Sequence, residues 1–89
     1  MNDFQKKIER VCDEIKELLI KKNQAYGNSA LQPLRIFSQA DAGEQIKVRI
    51  DDKISRIKNQ TGKDDEDAIL DLIGYLILYK VLKEDNENV

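Results

Sequence analysis

The chain has 89 residues, enough for one domain, with 36% charged and 40% hydrophobic residues and a formal net charge of -2. This balance suits a soluble helical protein and leaves no basic footprint for duplex nucleic acid or an anionic membrane. Histidine is absent and Cys12 is the only cysteine, which removes imidazole bases, Ser-His triads, histidine zinc sites and any internal disulfide.

A first helix is predicted from Asp3 to Lys22. Phe4, Ile8, Val11, Ile15 and Leu18 step by four and three, the seam of a packing helix. Cys12 and Leu19 widen it. Asn2 with Gln5 three residues later forms a capping box. Lys21 and Lys22 suit the negative end of the helix dipole, and Gly27 stops the helix at the latest. The seam serves either the core or a dimer. This charged, amphipathic start is not expected to be a secretory signal, and the cysteine usage suits a reducing compartment.

Asn23 to Gly43 carries Gly27, Pro33 and Gly43 as punctuation, with short helical turns expected near Leu31 and from Leu34 to Ser38. Long connections in small domains are commonly functional or disordered. Tyr26, Leu31, Leu34, Ile36 and Phe37 are expected to anchor this one. Tyr26, Asn28, Ser29, Arg35 and Ser38 can stack a base and hold a phosphate. The same polar residues also suit a loop that satisfies its own backbone.

The second helix starts near Asp41, an N-cap with Glu44 three residues on. Ile46, Ile50, Ile54 and Ile57 define its core face. Val48, Asp52 and Ser55 occupy the other side, flanked by Arg49 and Arg56. That side is either covered by a subunit partner or laced by charge pairs. Asn59 to Lys63, with Gly62, is a short turn that makes the second and third helices antiparallel neighbours.

The third helix opens at Asp64 or Asp65. Ile69, Leu70, Leu72, Ile73, Leu76, Ile77, Leu78, Val81 and Leu82 occupy almost every side of it, the mark of a buried helix too short to span a bilayer. Asp64, Asp65 and Glu66 suit a first helical turn. Asp71 lies one turn further in, on one face with Asp67 and Tyr75, where a carboxylate is costly unless paired or bound to a cation. Two partners are open to it. One is a divalent cation shared with Asp52, Glu66 and Asp67. The other is Arg49, Lys53 or Arg56 across the helix interface. Glu84 to Val89 is expected to fray.

Three ordered blocks, KNQAYGNSA, VRIDDKISRI and EDAILDLIGYLILYK, resemble the phage nucleotide-modification-associated domain. The likeness spans about Lys22 to Lys80. It places the chain near the all-α nucleoside triphosphate pyrophosphatases, the MazG-like and dimeric dUTPase-like group. The helical pattern predicts one all-α domain over residues 1–89, with a core of about 3–83 and three main helices, and the resemblance implies that these assemble into a bundle-forming homo-dimer or higher oligomer. It implies a nucleotide ligand hydrolysed between its α- and β-phosphates in the cytoplasm, the host's cytoplasm if the chain is phage-encoded. Asp52, Asp67 and Asp71 would hold Mg²⁺ (or Mn²⁺), with Glu66 beside them. Arg49, Lys53 and Arg56 would contact phosphate, with Tyr26 near the base. The second helix offers Asp51 and Asp52 where that group has an EExxE run, and Ala25 stands where relatives are often acidic. Two alternatives therefore stand beside the enzyme. One is a non-catalytic sponge for a nucleotide or cyclic nucleotide immune signal; the other is a helical interaction module.

Overall fold

A computed structural model of the chain describes residues 1–59 and 65–87, the side chains of 65, 66 and 87 excepted. It is all-helical with three helices: α1 (Asp3–Tyr26), α2 (Ala42–Asn59) and α3 (Asp65–Glu87).

The caps fall where local chemistry puts them. Asn2 Oδ1 accepts the Gln5 N–H at 2.8 Å, and Gln5 Oε1 accepts the Asn2 N–H at 3.0 Å. Both serve donors that an α-helix start leaves without partners. Asp41 Oδ1 accepts the Glu44 N–H at 2.8 Å in the same way for α2. α1 runs one turn past Lys22, because nothing in Asn23–Ala25 forbids a helix. It stops where Gly27 takes a φ of 67° and donates its N–H to the Asn23 carbonyl at 2.7 Å. Glycine adopts that φ without strain. At the other end α3 continues to Glu87 rather than fraying from Glu84. Lys80 Nζ reaches Glu84 Oε1 at 3.2 Å across one turn there. The Asn59–Lys63 turn lies outside the described residues from 60 onward.

α2 and α3 form an antiparallel pair. Going down it, Gly43 lies against Leu82, Lys47 over Tyr79, Arg49 at Tyr75 and Lys53 at Asp71. Ile46 is the most deeply buried large side chain, with Ala42 and Ala68 also buried. α1 leans on α3 alone, along its C-terminal half, where Ile15 is buried. Gly74 permits the crossing: a Cβ there would stand 3.3 Å from Leu19 Cδ2.

Three expectations need correcting. α3 is enclosed on the sides facing α2 and α1 only, while Ile69, Leu76, Ile77 and Val81 are exposed. Three helices with α1 docked at an end do not surround it. The apolar residues of the connection do not all anchor it either. Leu31 is half-buried, but Tyr26, Leu34, Ile36 and Phe37 are largely exposed, Phe37 at 98%. Ile54 is likewise half-exposed, at the edge of the α2 core face. Among the described residues no helix is long and apolar enough to cross a membrane.

Since Ile46 carries the α2–α3 contact, Ile46→Ala should remove about 2–4 kcal/mol of stability. Urea unfolding followed by circular dichroism measures this directly.

Candidate functional site

A cleft of about 660 Å³ opens where α1, the connection and the α2–α3 pair meet. α1 supplies Lys22, Asn23 and Tyr26, and the connection supplies Gly27, Asn28, Ser29 and Leu34. α2 contributes Ile46 and Arg49; α3 contributes Asp71, Gly74, Tyr75 and Leu78. The volume is in the range of small-molecule sites, and apolar surface exceeds polar in the lining.

The mouth is built by the end of α1. Past Gly27, the Asn28 carbonyl accepts the N–H groups of Leu31 and Gln32 at 3.0 and 2.8 Å, closing a turn. Asn23 Nδ2 donates to Asn28 Oδ1 at 2.7 Å and to the Gly27 carbonyl at 3.2 Å. These bonds hold the Tyr26–Ser29 segment against the last turn of α1.

The charged wall lies opposite. Arg49 Nη1 donates to the Tyr75 hydroxyl at 3.3 Å, and its guanidinium carbon sits 5.8 Å from the Tyr75 ring centroid. A guanidinium on an aromatic face is held in place while most of its N–H groups stay free. Among the described residues no carboxylate lies within ion-pair distance of Arg49. Deeper in, Asp71 Oδ2 is 3.3 Å from Lys53 Nζ, and Asp71 Oδ1 is 3.8 Å from Lys22 Nζ. Lys53 also stands 3.9 Å from Asp52 Oδ2. Lys22, Arg49 and Lys53 thus outweigh Asp71, and this side of the cleft carries net positive charge.

Of the residues singled out in the sequence, Tyr26, Asn28, Ser29, Arg49, Asp71 and Tyr75 line this cleft, and Lys53 adjoins it through Asp71. Asp52 is exposed on the outer side, with Arg56 Nε at 4.0 Å. Asp67 is exposed and does not line this cleft, and the Glu66 side chain is outside the described residues. Arg35, at a φ of 58°, lines a separate hollow of about 360 Å³ with Asp41, Gly43, Tyr79 and Lys83. Beside that hollow, the hydrogen bond and charge of Glu44 hold the Lys47 ammonium above its ordinary range, and Tyr79 adds to the effect. Lys22 had been assigned only to the helix dipole. Its place four residues after Leu18 continues the seam and would have put it on the docking face.

The divalent-cation assignment meets an obstacle here. Mg²⁺ and Mn²⁺ are held by carboxylate and other oxygens. Instead an ammonium group stands between Asp52 and Asp71, and a second one reaches Asp71. Among the described residues no group of three or more potential ligands gathers. Asp52, Asp67 and Asp71 as they stand do not fit such an ion. The pairing weighed as the alternative, Asp71 with Lys53, is the one formed.

No known protein family, curated protein or solved structure matches the chain.

Lys53 is only 13% exposed and Asp71 31%, whereas Asp52 and Arg56 are well solvated. Asp71→Asn should therefore cost about 1–3 kcal/mol, and Asp52→Asn less than about 0.5 kcal/mol. Parallel thermal or urea melts of the two variants test the contrast.

Proposed function

We propose that the chain binds a nucleotide in the α1–α2–α3 cleft and holds it without cleaving it. The observation that carries this reading is Arg49, fixed on Tyr75 at the cleft with its remaining donors free of any carboxylate among the described residues. Phosphate is the anion that such a fork serves best. Lys22 lines the same cleft, and Lys53 backs Asp71. Tyr26 and the apolar lining offer a base the flat, greasy surface it stacks on, and Asn28 and Ser29 offer polar groups for its edge or the sugar. The resemblance of the YGNS, VRIDDK and ILDLIGY blocks to nucleotide-processing proteins supports the same ligand class. Holding is favoured over hydrolysis because lysines occupy the position where a pyrophosphatase needs its cation.

The test is a calorimetric titration with a panel of mono-, tri- and cyclic nucleotides, followed by mass analysis of the recovered ligand. A binder should come back intact. Arg49→Ala should weaken it about 10–100-fold, the worth of a charged hydrogen bond. Affinity should be the same in EDTA as in Mg²⁺, since the phosphate partners are side chains. Release of pyrophosphate in Mg²⁺ would replace holding with hydrolysis, and no heat from any nucleotide would dismiss the ligand class altogether.

A further inference from the structure

Among the described residues the N-terminal half of α1 has nothing to pack against within its own chain. α1 meets α3 from Ile15 to Lys22. Before that point Phe4, Ile8 and Val11 are exposed, Phe4 at 71%. Yet this half is capped at Asn2 and patterned. Its apolar residues share the stripe that docks further on, and Asp3, Lys6, Glu9 and Asp13 keep to the other faces. A helical segment of this length is marginal in water by itself.

The whole chain, with the connection and α3 included, also exposes more surface than a closed monomer does. A folded monomer of 10.3 kDa is expected to expose about 5400 Å². This chain exposes 7310 Å², an excess of about 1900 Å². A standard interface takes about 800 Å² from each partner. The radius of gyration is 14.9 Å, against about 12 Å for a closed domain of this length.

We propose that two copies of the chain pair through the N-terminal halves of α1, antiparallel about a two-fold axis near Ile8 and Val11. Charge sets the direction. With Ile8 and Ile15 at heptad position a and Phe4, Val11 and Leu18 at d, the g positions are Lys7, Glu14 and Lys21. The e positions are Gln5, Cys12 and Leu19. In an antiparallel pair g faces g, so seating Ile8 on the partner's Val11 brings Lys7 beside the partner's Glu14, twice by symmetry. In a parallel pair g faces e, and Lys7 and Glu14 meet only uncharged residues. Phe4, Ile8 and Val11 lie outside the lining of the cleft.

Sedimentation equilibrium of the full chain in reductant should give twice 10.3 kDa. Ile8→Glu and Val11→Glu should each give a helical monomer, because both positions are already solvated in the single chain. Lys7→Glu and Glu14→Lys should each weaken the dimer about fivefold or more, and the double exchange should restore it to within about twofold. The last comparison stands even if a glutamate variant folds poorly. A monomeric wild type overturns the proposal. So does a dimer that survives Ile8→Glu, or a double exchange that restores nothing.

Discussion

The ion pair between Lys53 and Asp71 is where the three helices meet. Lys53 projects from α2, Asp71 from α3, and Lys22 arrives at the same carboxylate from the end of α1. A carboxylate one turn inside an apolar helix has to be compensated, and here two ammonium groups from two other helices do it. The arrangement fixes the height at which α2 and α3 pair. It also sets where α1 lands, one turn from Gly74. The cleft exists because α1 is held at that point and no further along.

The same pair decides the electrostatics of the site. Had Asp71 faced Asp52 and Asp67 alone, their mutual repulsion would have called for a metal ion. With Lys53 between Asp52 and Asp71, the negative charge of that pair is already met. Among the described residues Arg49 has no carboxylate partner, and its position on Tyr75 holds it at the cleft without neutralising it. Among the described residues the site combines surplus positive charge and aromatic rings with no assembled carboxylate set, and the proposed holding of a nucleotide rests on that combination.

Local chemistry was readable from the sequence; packing between distant residues was only partly so. Both starting caps, Asn2 with Gln5 and Asp41 with Glu44, involve neighbours three residues apart, so the pattern alone reveals them. The seam of α1 was visible too, but not that half of it would find α3 and half would not. The desolvation cost at Asp71 marked a residue needing a partner, without saying whether lysine, arginine or a cation supplied it. Lys22 was overlooked because the helix dipole already explained it. The apolar residues Leu34, Ile36 and Phe37 were read as anchors because hydrophobic residues usually are. Nothing local distinguishes an anchor for the chain's own core from one that is left facing outward.

α1 emerges as two helices in function, though one in backbone. From Ile15 onward it is a wall of the cleft, held by Leu19 at Gly74 and Lys22 at Asp71. Before Ile15 it is an amphipathic arm. A continuous helix transmits orientation along its length, so whatever holds the arm also fixes the angle of the wall. The wall's own contact with α3 is small: the buried Ile15, one close approach at a glycine and a half-solvated lysine. An arm clamped by a second copy would leave the Tyr26–Ser29 mouth less freedom to swing away from Arg49, and a ligand gripped between them would lose less entropy in closing the cleft.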